Sequence, residues 1–473
     1  MSEWEEISLS EVVSHQKGFA FKSEDYQKAG IPVVRVSNFT SDSVDVSDLY
    51  FVSEDMGNEN KNVELRMDDI VIATVGSWPS NPASIVGKTI RVPQSANGTL
   101  LNQNAVRLRV KDSNPDDQIF LYYVLKRPEF TNYLVSTAQG SANQASITLK
   151  DIFNYHFEWP EKKERKVIGE FLNAIDKKIE LNRQINQTLE QIVRAIFKSW
   201  FVDFEPVKAK IAAKQNGQDP DRAAMRTISG KTDQLDQLSP DQRQQFTTTA
   251  ALFPDELVDS ELGKIPKGWA LSIIGDEVDV VGGGTPSTKN GKFWEGGEIS
   301  WATPKDLSGL QEKILLQTEK KITEKGLVKI SSGLLPVDTV LMSSRAPVGY
   351  LAQTKIPVAI NQGYIAMKCN GRLPPEYVLL WADSVMDEIK QRATGSTFAE
   401  ISKKSFRPIS IIVPNDNILS EFEKQSKIIF TKIAESTSES MILSEIRNSL
   451  LPKLLSGEIS LNDPQPSFKA IAC

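Results

Sequence analysis

Residues 282–297 read GGGTPSTKNGKFWEGG, three glycines ahead of Ser, Thr and Lys. Such a composition could wrap a phosphate, because glycine lets backbone N–H groups approach closely while hydroxyls and an ammonium group add donors. A nucleotide-gripping loop needs the spacing G-x-x-x-x-G-K-S/T, in which the first glycine makes the tight turn. VGKT at 86–89 supplies Gly87, Lys88 and Thr89 but has Pro82 in the first glycine's place, and SGKT at 229–232 has Met225 there. The glycine-rich stretch itself lacks the full set of glycines at dinucleotide-binding spacing and runs from loop to loop rather than from strand to helix. Nucleotide binding is not expected, and a different phosphate-bearing partner remains.

Other chemistries find little to build on. Methyl transfer to a base amino group calls for Asn/Asp-Pro-Pro-aromatic, yet the one Pro-Pro, in RLPPEYV, follows Leu373. A nuclease needs paired carboxylates beside a lysine, and with 61 Asp and Glu no single pair is informative. The histidines are His15 and His156 and the cysteines Cys369 and Cys473, too few for a zinc site, a histidine-based triad or a disulfide framework. The chain is therefore expected to be non-catalytic, to hold no metal or cofactor of its own, and to work in a reducing cytoplasm. No apolar run approaches the roughly 18 residues that span a bilayer. The opening MSEWEEISLSEVV is acidic and has no apolar core, so neither membrane nor secretory signal is expected.

What recurs is a set of polar side chains in matching loops. Arg35, Ser37 and Asn38 answer Thr303, Lys305 and Asp306. Thr74 to Ser77 answer Ser343, Ser344 and Arg345. Asn102 and Gln103 answer Asn361 and Gln362, while Ser141, Asn143 and Gln144 answer Ser396 and Thr397. Thr285, Ser287 and Lys289 come from the glycine-rich stretch. Arg reads guanine edges and Asn or Gln adenine edges in two-point contacts, whereas hydroxyls and lysines mainly grip phosphate. Any one of these could instead be a solvated turn residue, and Asn361-Gln362 could cap backbone groups between strands. The net charge of −6 confines nucleic-acid binding to local faces and suggests that partner subunits supply some of the positive charge.

The elements that would position these residues are written twice. Trp4 opens WEEISLSEVV and Trp269 opens WALSIIGDEV. GIPVVRVSNF aligns with GEISWATPKDL, MDDIVIATVG with PVDTVLMSSRAPVG, LLNQNAVRLRV with VAINQGYIAMKC, and QGSANQASITLKDIF with TGSTFAEISKKSF. β-branched runs such as IPVVRV and DIVIATV indicate strands, and DQIFLYYVLKRPEFTNYLV and PEYVLLWADSVMDEIKQRA indicate helices.

Each half then ends in Pro and a long helical pattern in constant register, a shift of 254 carrying Pro160 to Pro414. Alternating 4,3 spacing selects Ile168, Leu172, Ile175, Ile179, Asn182, Asn186, Leu189, Val193 and Ile196. The same shift gives Phe422, Ser426, Ile429, Ile433, Ser436, Ser440, Leu443, Arg447 and Leu450. A 3.5-residue repeat marks a coiled-coil seam, and its polar break falls at the same place in both copies. The expected fold is α+β, two globular parts separated by two long antiparallel helices that form a coiled coil, with a pseudo-two-fold internal repeat. The Gln/Asp/Thr-rich stretch between the halves reads as a partly ordered linker.

These segments carry a family resemblance. GGTPSTKN…FW…GGEISWATPKDL resembles the opening of many target-recognition domains in specificity (S) subunits of type I restriction-modification systems. LEQIVRAIFKSWFVDFEPVKAK, followed by LFPDELVDSELGKIPKGW, resembles the central and re-entry segments of such subunits, and SEIRNSLLPKLLSGEISL resembles their distal helix. The first domain departs from the pattern, with QKGFAFKSEDYQKAGIPVVRVSNF in the glycine-rich segment's place. The resemblance implies target-recognition domain 1 at 1–160, a central conserved helix at 161–202 and a linker and re-entry segment at 203–265. Target-recognition domain 2 then spans 266–414, a distal conserved helix 415–460 and a tail 461–473. It also implies double-stranded DNA as ligand, the recognition domains docking in the major groove over the halves of a bipartite target. Two methylation (M) subunits holding S-adenosylmethionine, and restriction (R) subunits using ATP and Mg, would be the partners. A coiled-coil scaffold without DNA specificity and a DNA-modifying enzyme in its own right are the alternatives.

Overall fold

The computed structural model describes residues 4–40, 42–78, 85–141, 144–230, 235–345, 347–395 and 399–461. The chain divides into two compact units, Met1–Ile179 with Ile442–Cys473, and Glu180–Met441. Both divisions fall inside the long helices rather than at their ends. Of the residues singled out above, Pro82, Thr232, Asn143, Ser396, Thr397 and Cys473 lie outside the described residues.

In the first unit the strand Ile70–Ala73, IVIA, is buried along its whole length. It lies in a four-stranded antiparallel sheet ordered Val13–Lys17, Ala105–Val110, Ile70–Ala73, Thr89–Arg91. Side chains alternate across a strand, so this apolar run serves two cores at once. Ile70 and Ile72 pack with Leu108, Phe120 and Leu172, while Val71 and Ala73 pack with Val33, Leu101 and Ala105. Full burial contributes about 1.5–3 kcal/mol per Val, Ile or Leu, so a strand covered on both faces anchors both cores. A three-stranded sheet, Tyr50–Val52, Ile31–Val34 and Leu100–Leu101, closes the second core, its last pair parallel.

The second unit repeats this plan. Val340–Ser343 sits in a five-stranded sheet ordered Asp279–Gly282, Tyr364–Lys368, Val340–Ser343, Leu351–Thr354, Ile314–Leu315. Val340 and Met342 join Ile365 and Met367 on one face, and Leu341 packs with Ala366 and Ile360 on the other. A three-stranded sheet of Lys320–Ile322, Ile299–Ala302 and Ala359–Ile360 follows, again with a parallel last pair. Even the strained entry to the central strand recurs: Asp68 and Asp338 take φ of 68° and 65°. Aspartate tolerates that left-handed conformation better than most residues because its short side chain bonds locally.

The long helices are Lys162–Phe197 and Asp416–Leu455. A π-helical turn, Lys198–Val202, follows the first, and Phe204 at φ 53° ends it before the next helix opens at Glu205, with Pro206 in its first turn. Within the second unit, the Asn182 amide donates to Ser436 O (3.3 Å), Glu439 Oε2 (2.8 Å) and Ser440 Oγ (3.2 Å). Asn186 Nδ2 donates to Thr437 Oγ1 at 3.1 Å, and Phe197 meets Phe422 with ring centroids 6.0 Å apart. Residue numbers rise on one helix as they fall on the other, so the segments are antiparallel. Leu189, Val193, Ile196, Phe422, Ile429 and Ile433 belong to the core of this unit. Within the first unit, Arg447 Nη1 donates to Asp176 Oδ1 at 2.5 Å, and Ile168 and Leu172 share a core with Leu450, Leu451 and Leu454. Ile175 is buried, and Ile179 and Leu443 are half-buried.

The stretch between the halves differs from the linker expectation. Its described residues form helices Glu205–Gln215, Pro220–Ser229 and Pro240–Ala251. Asp219 and Ser239 accept N-terminal N–H bonds while Pro220 and Pro240 stand at the first helical position. Ala224, Met225, Leu235, Leu238 and Ala250 make a small core beneath them. Lys210 is buried against the Phe253 carbonyl (2.7 Å) and the Asp221 carboxylate (2.6 Å). No helix among the described residues is long and apolar enough to cross a membrane.

Candidate nucleic-acid interface

In each unit the loops at one end of the central sheet are laced together by backbone hydrogen bonds. In the first, Phe19 N–H donates to Leu101 O (2.9 Å), Asn102 to Val34 O (3.0 Å), Thr74 to Asn104 O (2.8 Å) and Ile147 to Thr74 O (3.0 Å). In the second, Gly284 donates to Ile360 O (2.9 Å), Asn361 to Ala302 O (3.0 Å), Ser344 to Gly363 O (2.8 Å) and Ile401 to Ser344 O (2.9 Å). Loops far apart in sequence are thus gathered into one platform, built twice.

Many of the polar residues are consumed in building it. Asn38 and Asp306 accept from the backbone N–H of Arg35 (3.0 Å) and Thr303 (2.7 Å), closing the turn after the middle strand of each three-stranded sheet. Asn102 and Asn361 accept from the N–H two residues on, at 3.4 and 2.8 Å. Ser343 is fully buried; its hydroxyl donates to Pro347 O (2.7 Å) and accepts from Tyr350 N–H (2.8 Å). Ser344, Thr74 and Ser77 are buried too, at 3%, 4% and 8% exposure, and such side chains cannot meet a base edge without repacking. The glycines divide similarly. A Cβ on Gly283 would lie 2.0 Å from Ile360 O, and on Gly18 2.1 Å from Asn102 O, so glycine is needed there for backbone approach. VGKT is also structural: Thr89 is buried in a strand, and Lys88 Nζ donates to Phe39 O at 3.2 Å.

The exposed set is smaller. Ser37, Ser141, Gln144, Thr285, Ser287, Lys289, Lys305 and Gln362 are exposed, and Arg35, Gln103, Thr303 and Arg345 are half-buried. Arg35 stacks on Tyr50, its guanidinium carbon 3.6 Å from the ring centroid, which fixes a planar donor fork over an aromatic face. Arg345 sits in a bridge pairing with Glu400. Thr285 Oγ1 donates to Gln362 Oε1, and Ser287 O accepts from the Trp294 indole at 3.1 Å. Lys305 pairs with Glu319 at 2.9 Å, and that carboxylate, through its hydrogen bond and its charge, holds the lysine above its ordinary range. Trp78 Nε1 donates to Ser141 O at 2.8 Å.

Sequence reasoning missed Lys403. A Cβ on Gly282 would lie 3.5 Å from its ammonium nitrogen, so this lysine reaches the glycine-rich loop from a helix beginning with it. The aligned segment SKKSF contained the signal, but only the fold brings it to the loop. The arrangement displays donors and acceptors rather than a reacting pair. Among the described residues, no group of three or more His, Cys, Asp or Glu could hold a metal ion.

Residues 1–191 and 266–447 match the family described as Type I restriction modification DNA specificity domain. The chain is 33% identical over 361 residues to the Type I restriction enzyme HindI specificity subunit of Haemophilus influenzae, spanning 72% of this chain and 77% of that relative. It is 37% identical over 175 residues to the Type I restriction enzyme MjaIX specificity subunit of Methanocaldococcus jannaschii, spanning 37% of this chain and 39% of the relative. Among solved structures, the S subunit of a type I restriction-modification system from M. genitalium gives a TM-score of 0.53 at 15% identity, covering 96% of each chain. At that identity the likeness speaks to the fold.

Proposed function

The chain belongs to the type I restriction-modification DNA specificity family and recognises DNA sequence, and from that premise we propose that its two units read the two halves of a bipartite, asymmetric target. One observation carries this reading. The laced loop platform occurs twice, while the side chains displayed on it differ, half-buried Arg35 over Tyr50 on one and the exposed Thr285–Gln362 pair on the other. Two platforms of one design with different displays suit two unlike half-sites.

In this reading the target-recognition domains occupy 1–160 and 266–414, and the helices at 161–202 and 415–460 set the gap between half-sites. At about 1.5 Å per residue, helices of 36 and 40 residues have the length for a spacer. The segment 203–265 joins the halves, and 461–473 is a tail. The chain is a non-catalytic reader in the cytoplasm. Adenine-N6 methylation with S-adenosylmethionine, and ATP- and Mg-dependent cleavage, belong to two M subunits and to R subunits that it recruits. Exposed Leu181, Ile185 and Ile192, at 50%, 36% and 44%, line one face of the first long helix and support a protein partner there.

Methylome sequencing of cells expressing this chain with its methylation partner tests the reading. The expected result is a split, asymmetric motif carrying methyladenine. A continuous motif would overturn the two-reader account, and methylation by the purified chain alone would overturn the non-catalytic one.

A further inference from the structure

Gln103 and Gln362 occupy the same place on the two platforms, each directly after the asparagine that laces its loop to the middle strand of the three-stranded sheet. One difference between their surroundings bears on the amide. Gly284 N–H bonds Ile360 O, which sets the next residue, Thr285, beside Gln362, and the Thr285 hydroxyl donates to Gln362 Oε1. In the first unit Phe19 N–H makes the same bond to Leu101 O, and the residue that follows is Ala20. Alanine has no hydroxyl. Gln103 Oε1 is buried with no hydrogen-bond partner among the described residues.

An amide whose oxygen is held by a neighbouring hydroxyl presents its NH2 outward, as a pure donor. In the major groove guanine offers two acceptors, O6 and N7, whereas adenine offers N7 beside the N6 amino donor. A glutamine with its oxygen free can meet adenine at both points. One with its oxygen occupied matches guanine.

We infer that Thr285 sets the hydrogen-bonding sense of Gln362, making it a reader of a guanine edge. This assignment rests on the DNA-recognition reading above. Thr285 acts as a positioning residue and Gln362 as the specificity residue.

The test uses the full chain with its methylation partner and reads the methylated motif. Gln362→Ala should relax one position, occupied by guanine in the wild-type motif, with discrimination there falling about tenfold or more. Thr285→Ala should move that same position towards adenine rather than relax it evenly. An unchanged motif from Gln362→Ala, or relaxation at a position that was not guanine, overturns the assignment. So does even relaxation from Thr285→Ala in a chain that melts like wild type. Failure of the wild-type chain to give any split motif would remove the premise itself, a result separable from all of these.

Discussion

The two units share one backbone plan but hold their long helices differently. In the first unit Arg165 is clamped by Asp117 through two bonds of 2.8 Å, donates to Pro160 O at 2.6 Å, and lies 4.3 Å from the centroid of the Trp159 ring. The shift of 254 that carries Pro160 to Pro414 carries Arg165 to Leu419, which sits in the apolar core of the second unit. The same operation exchanges the Asp176–Arg447 pair for Phe430 and Val193, both buried in that core. The two units keep one backbone architecture while the chemistry filling it differs, ionic in the first and apolar in the second. A buried pair is costly to desolvate and specific in geometry, whereas an apolar contact is cheap and tolerant.

The comparison predicts its largest effect at Arg165. Asp117 is nearly inaccessible, with side-chain exposure of 3%, so Arg165→Leu leaves a buried carboxylate without its partner. The first unit should lose about 3–5 kcal/mol in denaturant unfolding, and Arg165→Leu combined with Asp117→Leu should recover most of it. If the single and double variants unfold alike, the ion pair is not what distinguishes this unit.

A second contrast lies inside the glycine-rich loop. Gly283→Ala drives a methyl group into the carbonyls of Ile360 and Asn361 and should cost about 1–3 kcal/mol, with loss of sequence selectivity in the half-site read by the second unit. Gly284 has its nearest neighbours 3.8 Å away, so Gly284→Ala should stay within about 0.5 kcal/mol. Gly18→Ala is the control for the first unit, where the same clash recurs at 2.1 Å from Asn102 O. Thermal melts together with methylated motifs separate these outcomes, and equal tolerance at Gly283 and Gly284 would dissolve the distinction.

How much of this could be read from residues alone follows from the range of the forces involved. The strands around Ile70 and Val340 were legible because a strand buried on both faces must be continuously apolar. The helices were legible because packing enforces one period over many turns. The segment 203–265 misled because its polar composition hides a small core, although the Asp219-Pro220 and Ser239-Pro240 pairs already carried helix-start signals. At the platform, residue type indicated a hydrogen-bonding surface but not its partition. Asn38, Asn361 and Ser343 spend their side chains on backbone groups fixed only by the fold. Lys403 arrives from more than a hundred residues beyond the glycines it covers.

Charge on the platform gives a smaller effect. Lys289 is exposed, while Lys305 is tied to Glu319 and so is already compensated within the protein. If Lys289 grips a phosphate, Lys289→Ala in the assembled complex should weaken binding to all sequences alike and lower the salt slope by about one unit. Lys305→Ala should lower it less, because part of its charge is spent on Glu319. Equal slopes for the two variants would show that the internal pair opens on the duplex.

The smallest effect concerns the Cys369 thiol, which follows the strand Tyr364–Lys368 in the second unit. Burial, reinforced by the nearby Glu376 and Asp338 carboxylates, pushes it from an ordinary 9.0 up to about 12. The nucleophile in alkylation is the thiolate, so at pH 8 the folded chain should be nearly inert to iodoacetamide at this position. Cys473 should be replaced by Ser first so that only one thiol reports. The folded thiol binds its proton more tightly than the unfolded one, so its contribution to stability is complete below pH 9 and is lost as pH rises from 9 towards 12. Cys369→Val removes that dependence and, being close in volume, should shift stability by less than about 1.5 kcal/mol at pH 7. Alkylation of the folded chain as fast as of the denatured chain would show that this thiol is open to solvent, and that burial does not govern its chemistry.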